Sequence, residues 1–193
     1  MKTDPWNNFL NPEILKGNLI KSSMFITAFE LLKDSIIAHP ETFFTDGFDS
    51  NGWIINENYR TKVLSRNKSP LYASLDWFKE MEVIKQEDIE NFNKLKDYRN
   101  KLSHEMGNSI FHGINDEEHY KLFIDLINLY EHIDKWWILN FELAIDTDID
   151  IEQVDEVHSG PVLMLRVMLD IVLSNEEESW KYYNDYLKGF KDL

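Results

Sequence analysis

Residues 115–145, NDEEHYKLFIDLINLYEHIDKWWILNFELAI, are the most regular stretch of the chain and decide its fold class. Large apolar side chains recur there every three or four positions, which is the spacing of an amphipathic α-helix. They are Tyr120, Phe123, Ile127, Tyr130, Ile133, Trp137, Phe141 and Leu143. Asn115 or Asp116 precedes them and can cap the helix. The stretch predicts one long helix with its apolar face in a core.

The same periodicity predicts further helices on both sides of this stretch. They cover residues 12–39, 69–82, 86–106 and 161–173, and a last helix that ends near Gly189. Asn11 before Pro12 is a typical helix start, and Ser174 with Glu177 has the spacing of a capping box. The sequence therefore predicts an all-α fold, a bundle of five to seven helices.

Two residues are expected to end helices, and a long loop follows the first of them. Pro40 should end the first long helix, and Gly107 should end the helix over 86–106. Residues 40–68 contain Gly47, Gly52 and few periodic apolar positions, so they predict a loop with short extended or helical pieces. Loops of this length in a compact domain are uncommon and often functional.

Composition narrows the possible classes of protein. The chain has 193 residues, 43% of them hydrophobic and 28% charged, which is enough to bury a core. With 7 glycines and 5 prolines it has few of the residues that form the tight turns of a many-stranded sandwich or barrel. It has no cysteine, so disulfides, a thiol nucleophile and a cysteine zinc site are excluded.

We expect three parts: a helical bundle over 1–145, an acidic linker over 146–160, and C-terminal helices over 161–193 packed on the bundle. The N-terminus lacks the apolar core of a secretory signal, and no apolar run approaches the roughly 18 residues that span a bilayer. These features predict a cytoplasmic protein that does not bind membranes.

Charge is unevenly distributed along the chain. The net charge is -15, which argues mildly against a protein that coats nucleic acid with a basic surface. Residues 60–68 nevertheless carry four basic side chains and no acid, and residues 94–101 carry four basic side chains and one acid. An anionic ligand is expected near these two stretches, although either could be a solvated face.

The segment over residues 97–105, DYRNKLSHE, carries the clearest chemical pattern. Arg99 is followed directly by Asn100, and His104 follows five residues after the arginine. This combination is expected by chance in about one chain in a hundred of this composition. The segment closes a strongly periodic helix in a helical protein, which makes the pattern more specific.

Here the sequence resembles the HEPN superfamily (higher eukaryotes and prokaryotes nucleotide-binding domains), over roughly residues 12–145. Active members are helical bundles with an Arg-x4–6-His motif, often with Asn, Asp or His after the arginine, and RNKLSH fits that pattern. The resemblance implies a metal-independent endoribonuclease, without cofactor, that acts as a homodimer on RNA. It also implies a toxin or phage-defence role, with a cognate antitoxin or regulatory protein as a possible partner.

Residue roles carried over from the resemblance concern the motif and its cationic neighbours. His104 would act on the ribose 2′-hydroxyl or the leaving oxygen, Arg99 would bind the scissile phosphate, and Asn100 would orient either. The further candidates for substrate binding are Lys96, Lys101, Ser103 and Arg66. The chemistry is sound on general grounds, since an imidazole transfers protons near neutral pH and a guanidinium binds phosphate through parallel donors.

Helical geometry does not by itself assemble this site. At 100° per residue Asn100 and His104 lie 40° apart, but Arg99 lies 140° from His104. A distorted last turn or a second chain must bring arginine and histidine together. In the alternative interpretation Arg99 pairs with a neighbouring acid and His104 is a solvent-facing cation at the helix end. The alternative function is a catalytically inactive helical module that binds a nucleotide or a partner protein.

Other groups of residues that could form a metal or binding site match known motifs less well. Asp146, Asp148 and Asp150 have the spacing of the first ligands of a calcium-binding loop, but the sequence lacks the glycine and the final glutamate of such a loop. The Asp-x-x-His pattern at 116–119 does not match the repeated Glu-x-x-His motif of a di-iron bundle. The pair Trp136–Trp137 could stack bases but is more typical of a core. His112 and His119 flank the turn after the motif and could reach the same cleft. No metal site is predicted.

Overall fold

A computed structural model describes residues 5–50, 52–143, 157–173 and 176–189. Two compact units are present, Met1–Val157 and His158–Leu193. The first unit contains the motif and nearly all of the buried apolar side chains. The described residues are mostly helical, and their single sheet has two strands, so the helical fold class is confirmed.

The first unit begins with a short helix and a very long one, followed by a hairpin and five more helices. In chain order the elements are α1 (Pro5–Leu10), α2 (Pro12–Phe43), β1 (Thr45–Asp49), β2 (Gly52–Ile55), α3 (Glu57–Lys62), α4 (Pro70–Glu80), α5 (Gln86–His104), α6 (Met106–His112) and α7 (Asp116–Trp137). Asn11 and Asn115 cap α2 and α7 through their side chains, as their positions predict.

Helix α2 is the centre of this unit and contacts α4, α5 and α7. Its buried stripe includes Phe25, Leu32 and Ile36, which lie at helical spacing and are completely shielded from solvent. The facing helices contribute Phe78 of α4 and Leu95 of α5, both also fully buried. The core is therefore formed between α2 and the three helices that surround it.

Pro40 does not end α2, contrary to the sequence prediction. The helix continues to Phe43, and Pro40 is buried inside its last turn. Proline lacks a backbone N–H and so removes one hydrogen bond to the preceding turn. The helix nevertheless continues, and its last turn closes with Phe44 N donating to Pro40 O at 3.2 Å.

The region over 40–68 contains the short extended and helical pieces that the sequence predicts, and they occupy most of it. β1 and β2 form an antiparallel hairpin in which Phe48 lies opposite Trp53, and α3 and a 3₁₀ turn follow it. Gly52 has φ +118°, a conformation that a side-chain-bearing residue rarely adopts. Phe48 and Trp53 are exposed, and neither strand has a fully buried residue.

Helix α5 ends earlier than predicted, and Gly107 is not its stop. Glu105 leaves the helical region at φ -108°, ψ 26°, and Gly107 lies inside α6. Gly113, with φ +81°, ends that next helix instead. The prediction was wrong by two residues: Glu105 N still makes the last α-helical bond, to Lys101 O at 2.8 Å, but the ψ of Glu105 then turns the chain out of the helix.

Helix α7 follows the predicted pattern except at its ends. Tyr120 is 70% exposed rather than buried, because the apolar face begins at the buried His119 and Phe123. After Trp137 the chain continues as a π turn over Ile138–Glu142. The wider winding of a π turn changes the direction of the side chains that follow.

The second unit contains α8 (Gly160–Leu173), α9 (Glu176–Ser179) and α10 (Lys181–Gly189). Val162 and Leu165 are buried, whereas Leu163 and Met164 are exposed, so α8 is buried on one side only. The proposed Ser174–Glu177 capping box and most of the acidic linker lie outside the described residues. Within the described part, no helix combines the length and apolarity needed to cross a bilayer.

The core packing of α5 leads to a first prediction. Leu95→Ala should lower the free energy of unfolding by about 2–5 kcal/mol, because it removes a fully buried side chain and leaves a cavity. Leu10→Ala, at a position that is 70% exposed, is the control and should change it by less than about 0.5 kcal/mol. Urea unfolding followed by circular dichroism measures both, and equal losses would contradict the assignment of the core.

Candidate functional site

The orientation of the motif is determined by the packing of α5. Phe92, Leu95, Tyr98 and Leu102 are buried at steps of three and four residues, so one side of the helix faces the core. At the start of α5 the Asp88 carboxylate accepts from Lys85 N at 2.7 Å. The helix is regular through His104, and the motif occupies its last two turns.

Arg99 lies at the edge of the buried stripe and points towards α2. Its Nη2 donates to the carboxylate of Glu30, and its Nη1 donates to Asn100 Oδ1 at 3.2 Å. Both side chains of the ion pair are 30% exposed. The Nε atom of Arg99 is buried and has no hydrogen-bond partner among the described residues. One of its N–H groups therefore makes no hydrogen bond, and an unpaired buried N–H costs about 1–3 kcal/mol of stability.

Glu30 is held by two cations at once. One carboxylate oxygen accepts from Arg99 and the other accepts from Lys33, one turn further along α2. Partial burial acts to raise the pKa of Glu30, but the hydrogen bonds and charges of Lys33 and Arg99 outweigh it, and the net pKa lies below its ordinary value. Glu30 is therefore a carboxylate at neutral pH, and it shares its charge between the two cations.

Asn100 and His104 lie on the other side of Arg99. Asn100 is half-buried, and His104 is exposed at the C-terminal end of α5. Because α5 is regular to its last residue, Arg99 and His104 point about 140° apart, and Asn100 lies between them around the helix. Sequence reasoning left open a distorted last turn or a second chain; α5 has no distorted turn before His104, so the two side chains leave the helix in different directions.

Of the residues predicted to bind substrate on α5, two are exposed and the third is hydrogen-bonded within the chain. Lys101 and Ser103 are exposed on the last turn of α5. Lys96 instead reaches α4, where its Nζ donates to the Tyr72 hydroxyl at 3.2 Å and lies 5.0 Å from the centre of that ring. The Tyr72 hydroxyl in turn donates to Asn93 at 2.6 Å. Lys96 is thus positioned by a short polar chain on the Asn100 side of the helix.

Arg66 is the sequence-predicted site residue with the least freedom. It lies in the 3₁₀ turn before α4 and pairs with two acids of that helix, Asp76 at 3.2 Å and Glu80. Its Nε also donates to the backbone oxygen of Lys62. These contacts use both edges of the guanidinium within the chain, so the structure gives no support for a substrate role of Arg66.

His119 is a core residue and not a cleft residue. Its ring packs on Phe25 and Phe123, and the Tyr98 hydroxyl contacts its Nδ1 at 3.0 Å. Burial lowers the pKa of His119, the charge of Lys21 lowers it further, and Asp116 opposes both. Burial, together with nearby carboxylates, raises the pKa of Tyr98 to about 12. With both groups neutral, the tautomer of the imidazole decides which of them donates.

The other constellations do not form a site in the described residues. Trp137 is buried against the ring of His39 and belongs to the core, and Trp136 is half-buried and packs on Trp77 and Phe78. His112 is exposed at the end of α6. The three acids at 146, 148 and 150 lie outside the described residues. Elsewhere in the described chain no three His, Asp or Glu side chains are placed to share a metal ion.

A Ser–His–Asp cluster joins α2 and α7 but is not arranged for nucleophilic catalysis. His39 Nε2 lies 2.8 Å from Asp134 Oδ1 and 2.9 Å from Ser35 Oγ, and Ser35 Oγ donates to the same carboxylate at 3.1 Å. In a catalytic triad the serine and the carboxylate occupy different ring nitrogens. Here both face one nitrogen, so the cluster is a buried structural network.

Sequence reasoning missed Glu30 and Lys33, which complete the surroundings of Arg99. They lie 69 and 66 positions before the arginine, and nothing local distinguishes them from other charged pairs spaced i, i+3 on a helix. Two features of the sequence indicate that Arg99 has an acidic partner on α2: α2 and α5 are both long, and an arginine at the edge of an apolar stripe requires a partner. Neither observation selects which acid of α2 provides it.

Comparison with known proteins supplies no further assignment. No family model matches the chain, and no curated protein or solved structure matches it either.

The buried imidazole of His119 leads to a second prediction. Its folded-state pKa is lowered, so the unfolded state binds more protons below the ordinary histidine value near 6.5 and stability falls as the pH falls. Between pH 7.5 and 5.5 the wild type should therefore lose more unfolding free energy than His119→Gln, by at most about 1.4 kcal/mol per pH unit. Urea unfolding at both pH values measures this difference.

His112→Gln is the matched control, because it removes an exposed histidine. It should keep the pH dependence of the wild type. If His119→Gln and the wild type lose the same unfolding free energy on acidification, His119 is not buried in its neutral form.

Proposed function

We propose that this protein is a metal-independent endoribonuclease of the HEPN type, built on a HEPN-like helical bundle and active as a homodimer. The observation that carries the proposal is the end of α5, where Arg99 is hydrogen-bonded to Asn100 and His104 is exposed one turn further on. The resemblance of this motif adds the role of a toxin or phage-defence effector, with a cognate antitoxin or regulatory protein as partner.

The chemistry requires only the substrate and these side chains. The RNA 2′-oxygen attacks the adjacent phosphorus, a new bond forms between them, and the bond from phosphorus to the 5′-oxygen breaks. His104 takes the proton of the 2′-hydroxyl or supplies one to the leaving oxygen, and Arg99 stabilises the charge on the phosphate. The products are a 2′,3′-cyclic phosphate and a 5′-hydroxyl.

A second chain is part of the proposal because one chain does not assemble the site. Arg99 and His104 diverge by about 140° around α5, so a shared phosphate must lie between the Arg99 of one chain and the His104 of its partner. Asn100 borders both groups on the helix surface and can orient either of them. The two-fold axis is expected to pass beside the exposed end of α5.

The distribution of charge favours RNA binding at one local surface and with modest affinity. The chain carries a net charge of -15, so most of its surface repels RNA. Lys96 and Lys101 on α5 supply positive charge within two turns of the motif. Binding should therefore be restricted to this surface and should weaken steeply with added salt.

A second candidate is a catalytically inactive helical module that binds a nucleotide or a partner protein. The ion pair between Arg99 and Glu30 favours it, because the arginine already has an anionic partner within its own chain. In this candidate the arginine holds α5 against α2, and the exposed His104 has no chemical role. RNA cleavage separates the two candidates directly.

The third prediction concerns cleavage. In excess EDTA the protein should cleave labelled RNA, and His104→Ala or Arg99→Ala should lower the rate at least about a hundredfold, because general acid–base catalysis or phosphate stabilisation is lost. An oligonucleotide with a 2′-deoxy residue at the scissile position should not be cleaved. Gel analysis of the product ends measures the rate and the 2′,3′-cyclic phosphate.

His112→Ala and Arg60→Ala are matched controls, since both replace exposed side chains of the same types. They should keep wild-type activity. Cleavage that persists in both motif variants would show that the site lies elsewhere, and no cleavage by the wild type would favour the binding module.

The fourth prediction tests whether two chains share one site. A mixture of Arg99→Ala and His104→Ala chains should regain about a quarter of wild-type activity after subunit exchange, since half of the dimers are mixed and each has one intact site. The cleavage assay above measures it, with each variant alone as control. No recovery, with exchange demonstrated by differently tagged chains, would contradict a site formed between chains.

A further inference from the structure

The carboxylate of Glu30 occupies the position on Arg99 that an anionic ligand would use. A guanidinium binds carboxylate and phosphate oxygens with the same donor geometry, so the two anions compete for one group. Glu30 reaches only Nη2 of Arg99, while Nη1 is used by Asn100. Arg99 is therefore partly paired within the chain and partly available.

Lys33 is the second cationic partner of Glu30. It binds the carboxylate oxygen that Arg99 does not use. The buried Nε of Arg99 is left without a hydrogen-bond partner in the described structure. Glu30 can thus leave Arg99 and still keep a cationic partner in Lys33, so exchange does not strand a charge.

We propose that Glu30 is an internal competitor for Arg99, which a phosphate of the nucleic-acid backbone must displace, and that Lys33 holds Glu30 in the displaced state. The inference rests on the proposed function in one respect, that Arg99 is the group that receives the phosphate. It adds a regulatory contact that lowers affinity for RNA and makes binding depend on the opening of an ion pair between α2 and α5.

The Arg99–Glu30 contact differs from a purely structural ion pair in its expected effect. If Glu30 only positioned Arg99, its removal would weaken ligand binding, because the guanidinium would lose its orientation. A competitor gives the opposite sign, since its removal frees donors for the phosphate. The direction of the change in affinity therefore distinguishes the two roles.

The test uses a fluorescein-labelled 2′-O-methyl oligouridine, which keeps the phosphate backbone but cannot be cleaved through its 2′-oxygen. Glu30→Gln should lower the Kd of the full chain for this probe roughly two- to fivefold, the upper part of the range for a partly exposed ion pair. The gain should vanish when Arg99→Gln is added. Fluorescence anisotropy in EDTA at low salt measures each Kd.

Asp34→Asn is the matched control, because it removes the same charge four residues further along α2. Asp34 lies 3.8 Å from Lys33, and its side chain is 72% exposed. It should change the Kd less than about twofold, an effect of net charge alone. Glu30→Asp is a second variant, which keeps the charge but shortens the side chain and should also improve binding if Glu30→Gln fails to fold.

The outcomes separate this inference from the proposed ribonuclease. Equal or weaker binding by Glu30→Gln relative to Asp34→Asn overturns the competitor role, even if the wild type cleaves RNA. A gain that depends on Arg99 supports it, even if the wild type cleaves nothing, and then only the proposed cleavage is lost. A gain that survives Arg99→Gln also overturns the inference, because Glu30 would then act on another group.

Discussion

The burial of the apolar stripe of α5 against α2 and α7 is the constraint on which the candidate site depends. Leu95, Tyr98 and Leu102 must face the core, and a regular helix then determines the direction of every other side chain on its last two turns. Arg99 is placed at the edge of the core and His104 at the surface. Rotating the helix to bring His104 towards Arg99 would expose core residues, so the packing energy maintains their separation.

This separation bears on the proposed function. In the proposed ribonuclease Arg99 and His104 of one chain would each form half of a site, because they point to different sides of α5. In the proposed homodimer a two-fold axis would place each arginine opposite the other chain's histidine. The net charge of -15 opposes both the proposed association and RNA binding, so the proposal depends on local contacts at the end of α5.

The contact between Arg99 and Glu30 gives this surface a second property. An arginine at the edge of a core must be paired, because a half-buried unpaired cation is costly. Glu30 meets that need through Nη2 of Arg99 and also binds Lys33. The ion pair joins α2 to α5, and in the proposed function it would also limit the access of other anions to Arg99. Under that proposal the structural and functional roles of this arginine are linked.

Local sequence signals were reliable where the decisive interaction is local. The side-chain caps of Asn11 and Asn115 and the buried stripe of α5 followed from residue type and spacing. Stop signals were less reliable: Pro40 lies inside α2, and Glu105 rather than Gly107 ends α5. A proline or glycine only changes the local cost of a conformation, and neighbouring hydrogen bonds can outweigh it.

The sequence by itself determined the helical class, the place of the motif on the last turns of α5 and the 140° between Arg99 and His104, because each follows from periodicity within one helix. Only the tertiary structure decided which groups meet across the chain. It brought Glu30 to Arg99, placed His119 in the core beside Tyr98, and tied Arg66 to α4. Such contacts depend on how helices pack against each other. The sequence contains many acidic residues that could pair with a given basic side chain, and only the packing brings one of them within reach.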